Sequence, residues 1–217
     1  MAMPTRPNPL PPPSSGPLHA TSSHDRILNA AKHLFAKDGY ENTSTAAIAR
    51  MAGTSESQLM KHFGSKEGLL EAIFDAGWVS MAYMFRAIHD LSSPTEKLEV
   101  MLEMILNTLD RDPELKELML IEGRRVRKEG RMILLTKGYL QLIGVVDAII
   151  TEMRARGELR PNLHTDAVRS ALLSMFEGML RDQILASRMG FPATYGRVEL
   201  NLIFKLVMNA FILPPQE

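Results

Sequence analysis

Apolar residues recur at three- and four-residue spacing through most of the chain, a pattern typical of amphipathic helices. The first clear stretch predicts a helix that begins near Ser22 or Ser23, since either hydroxyl can accept from a free amide of the first turn. Gly39 ends this helix, because glycine readily adopts the left-handed conformation found after a helix. The buried side of the helix is formed by Ile27, Ala30, Ala31, Leu34 and Phe35.

Two shorter helices are predicted over 43–52 and 54–63, and Gly53 supplies the tight turn between them. The third helix buries Leu59 and Phe63, which lie four residues apart, so its remaining side chains point outward. One hydroxyl at the start of the second helix can cap it and the others can face a phosphate; these hydroxyls belong to Thr43, Ser44 and Thr45. The three helices predict a helix-turn-helix unit that presents its last helix to the DNA major groove.

Residues 24–66 resemble the DNA-binding domain of the TetR family of bacterial transcriptional regulators. The resemblance covers about a fifth of the chain and implies an all-α protein, with an N-terminal three-helix domain followed by a helical domain for ligand binding and dimerisation. The matching positions follow in order and without gaps: Ala31, Leu34-Phe35, Gly39-Tyr40, Thr43, Ile48-Ala49, Ala52-Gly53, Ser55, Leu59, His62-Phe63, Ser65-Lys66-Glu67 and Leu69.

The exposed side of the third helix and this resemblance together identify the residues expected to contact DNA. Short hydroxyl, amide and cationic side chains are the groups that reach base edges and phosphates. We expect these contacts from Tyr40, Thr45, Thr54, Ser55, Ser57, Gln58, Lys61, His62 and Lys66.

Two residues depart from the family pattern. Met60 stands where the family usually has an aromatic residue, and a thioether cannot donate a hydrogen bond to the DNA backbone. Glu56 lies near the start of the recognition helix, where an acid suits the helix dipole but repels phosphate unless it accepts from a cytosine amino group. Both departures are expected to change affinity or specificity without abolishing DNA binding.

The rest of the chain predicts further helices and no strands. The apolar periodicity and the positions of proline and glycine place these helices at about 66–90, 94–110, 113–128, 131–156, 164–189 and 193–213. The first of them follows the recognition helix directly and links the two predicted domains.

Methionines point to an adaptable cavity in the second domain. Eleven of the 15 methionines follow residue 80, and methionine is flexible enough to fit varied apolar ligands, although it also fills ordinary helical cores. A basic run over 124–128 is either a solvated face or a gate for an anionic ligand. A small apolar effector is therefore expected, in a pocket lined by Met81, Phe85, Met101, Met104, Ile105, Met119 and Tyr139.

The last two predicted helices are apolar on more than one side, so each must bury more than one side. A homodimer built as a four-helix bundle would bury them and would supply two recognition helices for a palindromic operator. The expected interface residues are Leu172, Met175, Phe176, Met179, Ile203, Val207 and Phe211.

Composition adds limits to these predictions. The chain has 25 basic and 25 acidic residues, so no overall positive field attracts nucleic acid, although 44–66 hold three basic residues and one acidic residue. The chain contains no cysteine, and no apolar run is long enough for a membrane span, so we expect a cytoplasmic protein. The predicted division is a disordered proline-rich tail over 1–21, a DNA-binding domain over 22–66 and the helical domain over 67–217.

Alternatives to a ligand-controlled repressor remain open. A regulator without a small-molecule ligand, either constitutive or controlled by a partner, would share the DNA-binding motif. An enzyme is disfavoured, because His89 and His164 stand outside any catalytic or metal-binding motif and no glycine-rich phosphate loop is present. We expect no catalytic residue, cofactor or metal site.

Overall fold

The computed structural model describes residues 22–123 and 135–213, which form an all-α protein and so confirm the predicted fold class. The α-helices in this part of the chain are α1 Ser23–Asp38, α2 Thr45–Met51, α3 Glu56–Phe63, α4 Lys66–Ala87, α5 Pro94–Arg111, α6 Pro113–Glu117, α7 Lys137–Ala155, α8 Thr165–Met189 and α9 Arg197–Phe211. The predicted tail over 1–21 and the basic run over 124–128 lie outside the described residues.

Helices α1–α3 pack around a small apolar centre at the N-terminal end. Serine side chains begin each helix: the Ser22, Ser44 and Ser55 hydroxyls accept from amides three residues further on, each at 3.1 Å. Each bond satisfies a donor that has no partner within its own helix. The centre consists of fully buried side chains, namely Ile27, Ala31, Phe35, Ile48 and Leu59.

The turn between α2 and α3 depends on Gly53. Its φ of +63° lies in the left-handed region, which residues with a Cβ adopt only at a cost in free energy. The Arg26 Nε donates to the carbonyl of Ala52 at 3.0 Å, so α1 fixes the chain where α2 ends. The turn and this hydrogen bond together fix the direction of α3 relative to α1 and α2.

Helix α4 connects this unit with the larger helical part. It begins at Lys66, directly after α3 ends at Phe63, and the Ser65 hydroxyl caps it by accepting from the Gly68 amide at 2.9 Å. Its first turns bury Leu69 and Phe74 against the N-terminal helices and α5. Because only two residues separate α3 from α4, a movement of α4 also displaces the C-terminal end of α3.

The second part packs α4, α5 and α7 together, with α8 and α9 alongside. Helix α6 is only five residues long and continues into a π-helical segment, Leu118–Glu122, which is buried except for Ile121. The end of α9 is tied back to the turn after α7, because the Leu213 amide donates to the carbonyl of Glu158 at 2.7 Å. No helix in 22–123 or 135–213 is both long and apolar enough to cross a membrane.

Two predicted helix starts are corrected by local hydrogen bonds. Helix α7 begins at Lys137 rather than 131, because Thr136 caps it by accepting from the Tyr139 amide at 3.3 Å. Helix α9 begins at 197 rather than 193, because the Tyr195 hydroxyl donates to the carbonyl of Met179 at 2.9 Å and holds the preceding segment in a loop. In the described part of the helix expected over 113–128, the α-helix ends at Glu117 and a π-helical segment, Leu118–Glu122, follows.

The two parts meet along α1. Lys32 Nζ lies 2.6 Å from Asp112 Oδ2, and His33 Nδ1 lies 2.7 Å from Glu114 Oε1. These two contacts join α1 to the start of α6.

Helix α8 reaches the same junction through Arg188. Its Nη2 donates to the main-chain carbonyl of Ala36, near the end of α1, at 3.2 Å, and pairs with the Glu117 carboxylate. Burial raises the pKa of that carboxyl, while the guanidinium acts in the opposite direction. Arg188 thus links α8, α6 and α1.

Candidate DNA-binding surface and effector cavity

The outer side of α3 presents a row of polar side chains to solvent. Ser57, Gln58 and Lys61 are all exposed to solvent. Met60 lies beside them with 42% of its surface exposed. Such a row can reach base edges and phosphates, and an exposed thioether chain can pack against a thymine methyl group.

The N-terminal end of α3 is held by its neighbours. Ser55 is its cap, so the hydroxyl predicted to contact DNA already accepts from the Gln58 amide. Thr54 is half-buried in the turn and its amide donates to the carbonyl of Ala49 at 3.0 Å. The hydroxyl of the half-buried Thr45 donates to the carboxylate of Glu56, which joins the starts of α2 and α3 on the surface.

The C-terminal end of α3 meets the start of α1 through His62. Its Nε2 lies 3.1 Å from the Ser23 hydroxyl, and its ring packs edge-on against His24 with centroids 5.8 Å apart. Both histidines are exposed, so the contact leaves His62 accessible to a phosphate. The rings of His62 on α3 and His24 on α1 therefore lie beside one another at this end of the surface.

Tyr40 is a correction to the predicted DNA contacts. Its ring is only 5% exposed and packs on Phe35, with centroids 5.0 Å apart. Lys66 Nζ lies 4.3 Å from the centroid of that ring, so Tyr40 positions the cation rather than lying on the surface itself. Thr43 also points inward, because its hydroxyl donates to the carbonyl of Gly39 at 2.8 Å.

Family models match both parts of the chain. The model described as bacterial regulatory proteins, tetR family, matches residues 27–73, and the model described as YsiA-like protein, C-terminal region, matches residues 80–189. The chain belongs to the tetR family of bacterial regulatory proteins. The prediction of a DNA-binding transcriptional regulator of this family is confirmed.

Characterised relatives are similar over most of their length. The regulator UidR of Escherichia coli strain K12 is 26% identical over 167 residues, which cover 75% of this chain and 82% of UidR. The fatty acid metabolism regulator protein of Bacillus subtilis strain 168 is 25% identical over 155 residues, covering 70% of this chain and 78% of that protein.

A solved structure shares the fold. FadR from Bacillus subtilis, in complex with stearoyl-CoA, superposes with a TM-score of 0.72 at 21% identity and covers 84% of this chain and 94% of FadR. At this identity the likeness concerns the fold alone.

In this tetR-family chain, a largely apolar cavity of about 50 Å³ lies between α4, α5, α7, α8 and the π-helical segment. Its lining consists mainly of buried apolar and aromatic side chains, with one carboxylate and one phenol among the described residues. The lining residues are Trp78, Met81, Ile105, Leu109, Met119, Leu120, Tyr139, Leu142, Leu173, Phe176 and Glu177.

The structure brings together four of the seven residues predicted to line a pocket: Met81, Ile105, Met119 and Tyr139. Phe85 and Met101 are absent from this lining, with Phe85 half-buried on α4 and Met101 buried on α5. Met104 lies instead in an open cleft of about 640 Å³ between α1, α4, α5 and α6. From α5 the cavity is lined by Ile105 and Leu109; Met101 lies one turn before Ile105, and Met104 precedes Ile105 directly but points to another side of the helix.

Trp78 and Phe176 are cavity residues that the pattern of methionines did not indicate. Trp78 packs on Tyr139 with ring centroids 5.5 Å apart. A Cβ at Gly138 would lie 2.3 Å from the Cβ of Trp78, so only glycine lets α7 approach α4 this closely. The sequence did offer one indication of the role of Trp78: it is the chain's one tryptophan and lies on the buried side of a predicted helix.

The predicted dimer interface separates into buried and accessible residues. Leu172 and Phe176 are a correction: they are 3% and 7% exposed within one protomer and have little surface left for a partner. Met175, Met179, Val207 and Phe211 are half-buried against the core, and Ile203 is exposed. The accessible apolar stripe lies on α9, where it consists of Val198, Leu202, Ile203 and Leu206.

Neutralising Glu56 is expected to strengthen binding to DNA of random sequence. Two exposed charges interact by about 0.2–1 kcal/mol, and less at high salt, so removing the repulsion in Glu56→Gln should raise this affinity by up to about five-fold per protomer. Fluorescence anisotropy with a labelled random duplex at two salt concentrations measures the change. Glu96→Gln is the matched control, because Glu96 is also an exposed acid in the first turn of its helix, α5. Equal affinities for both variants would contradict the placement of Glu56 at the DNA surface.

Proposed function

We propose that the protein is a homodimeric, sequence-specific repressor that a small, largely apolar effector releases from a palindromic operator. The observation that carries DNA recognition is the exposed row of Ser57, Gln58 and Lys61 on α3. In this proposal residues 22–66 form the DNA-binding domain and 67–217 form the effector and dimerisation domain. The protein acts on chromosomal DNA in the bacterial cytoplasm, and we assign it no catalytic step, cofactor or metal.

The apolar stripe on α9 supports dimerisation. Val198, Leu202 and Leu206 follow one another at four-residue spacing and are each more than half exposed. An isologous contact would bury the same stripe from both protomers. It would also present two α3 helices, whose separation must suit successive major grooves about 34–36 Å apart or a multiple of that spacing.

Control by a ligand is supported by the position of the cavity. Trp78 and Met81 line it from α4, and α4 begins at Lys66, immediately beyond α3. A ligand that binds one position of α4 more tightly changes the separation of the recognition helices. By linkage, the ligand weakens DNA binding by the same factor as DNA weakens ligand binding.

Footprinting on the DNA upstream of the protein's own gene tests the proposal. We expect a protected palindrome and an affinity that falls steeply with salt, because phosphate contacts release counterions. Specific binding should exceed binding to random DNA by at least about 10³-fold. Failure to select any sequence from a genomic library would overturn the proposal.

A further inference from the structure

We infer that Glu56 reads a cytosine in each half-site of the operator and that Thr45 holds its carboxylate in position to do so. This inference rests on the proposed recognition of DNA by α3 and specifies one base of the operator. Its basis is the hydrogen bond between the starts of α2 and α3, together with the exposure of Glu56 on the outer part of α3.

Glu56 lies at the end of α3 that is expected to enter the major groove. It is the first residue of the helix and is exposed to solvent. The N-terminal residues of a recognition helix contact base edges, while the preceding helix crosses the DNA backbone. Burial of Leu59 fixes the inner side of α3, and Glu56 shares an outer flank with the exposed Met60, four residues further on. The carboxylate is therefore placed where a base edge can be reached.

Thr45 orients this carboxylate. From the first turn of α2 its hydroxyl donates to Oε1 of Glu56. Neither side chain is occupied as a helix cap, because Ser44 and Ser55 cap α2 and α3. A carboxylate has acceptor positions on both oxygens, so the bond from Thr45 leaves room for a donor on the DNA. A side chain held in this way loses less conformational freedom when it binds a base.

The pattern of donors and acceptors in the major groove selects cytosine as the base. Guanine presents two acceptors there and thymine presents an acceptor and a methyl group, so neither offers a carboxylate a donor. Adenine offers its N6 amino group directly beside the N7 acceptor, which repels the same carboxylate. Cytosine offers its N4 amino group with no acceptor on its own ring next to it. Glutamate should therefore accept best from cytosine.

Repulsion between Glu56 and the phosphates is a separate effect with a different signature. Repulsion lowers the affinity for all sequences alike and weakens as salt is added. A base contact instead changes affinity at one position of the site. Removing the carboxylate should therefore raise affinity for random DNA and also erase the preference at that position.

Selection of duplexes from a randomised library by the full-length protein tests the base assignment. We expect a cytosine at one position of each half-site, preferred by about five-fold or more over the other bases. Glu56→Ala should reduce this preference to within about two-fold and keep the other selected bases. Glu56→Gln should shift it towards adenine, because a carboxamide pairs with N6 and N7 together. Glu96→Gln, which changes an exposed acid in the first turn of α5, should select the wild-type operator. Identical base preferences for wild-type and Glu56→Ala proteins would overturn the inference.

Replacing the selected cytosine by N4-methylcytosine tests the donor atom without any change in the protein. The methyl group takes the place of the N–H that faces the major groove, while pairing with guanine is kept. Wild-type affinity, measured by fluorescence anisotropy, should fall about five-fold for each modified half-site. Glu56→Ala should bind the two duplexes equally. Equal wild-type affinity for both duplexes would contradict a contact with the N4 amino group.

Thr45→Val tests the positioning of the carboxylate, because valine keeps the branched shape and lacks the hydroxyl. The cytosine preference should fall about three-fold as Glu56 loses its fixed orientation. The other base preferences should persist, and circular dichroism verifies that each variant is folded. A folded Thr45→Val protein with the full preference would overturn the positioning role of this hydroxyl.

The same selection separates this inference from the proposed function. If wild-type protein selects no sequence, the proposed function fails and the base assignment fails with it. If wild-type protein selects a palindrome whose bases do not depend on Glu56, the base assignment alone fails and the regulator function stands.

Discussion

Replacing Leu202 and Leu206 with glutamate is expected to convert the protein to a monomer and to remove operator binding. Both side chains are 55% exposed in one protomer and belong to the α9 stripe. A symmetric interface would contain four added carboxylates, and each unpaired buried charge costs several kcal/mol. A monomer keeps the contacts of only one half-site, so operator affinity should fall by about 10³-fold or more, to the level of non-specific binding.

Light scattering reports the mass, and gel shift reports the affinity. The matched control places glutamate at Val79 and Leu140, which are 63% and 56% exposed but lie on α4 and α7. That control should remain a dimer with normal operator affinity. A dimer that persisted in the α9 variant would move the interface to another surface.

The second large effect is expected from Lys61→Ala combined with His62→Ala on α3. Each lost contact to a base or phosphate costs about 1–3 kcal/mol, and the dimer loses each contact twice. Operator affinity should therefore fall by about 10²-fold or more. Two fewer lysine–phosphate contacts should also reduce the slope of log K against log salt by about 2.

Lys37→Ala combined with His89→Ala removes the same residue types from exposed positions elsewhere and serves as the control. The free energy of unfolding should change little in either protein, because the 3.1 Å contact between His62 and Ser23 is exposed. Unchanged operator affinity and salt slope after the α3 substitutions would mean that another surface reads the DNA.

Sequence reasoning predicted those elements whose signals are local. The stripe containing Ile27 and Phe35, the serine caps and Gly53 all act within a few residues, and the structure has α1, α2 and α3 close to where these signals place them. The recognition helix was predictable for the same reason, since burial of Leu59 fixes which side faces outward.

Non-local packing explains what sequence reasoning missed. Apolar residues before Thr136 suggested an earlier start for α7, because periodicity alone does not reveal a cap. Phe176 was predicted at the dimer interface because it is apolar, but it lines the cavity, and the sequence does not indicate which side of α8 faces that cavity. Tyr40 was expected to contact DNA because of the family resemblance, whereas its ring packs on Phe35 and is only 5% exposed.

The contact of Arg188 has a consequence for how specificity can evolve. The carbonyl of Ala36 is among the last four of α1, which lack partners within the helix, so Arg188 acts as a helix cap supplied by another part of the chain. The acceptor is a main-chain atom that every amino acid provides. Substitutions that retune the DNA-reading residues, or a chimera that exchanges α1–α3 for those of a relative, therefore retain this attachment whichever residue occupies position 36.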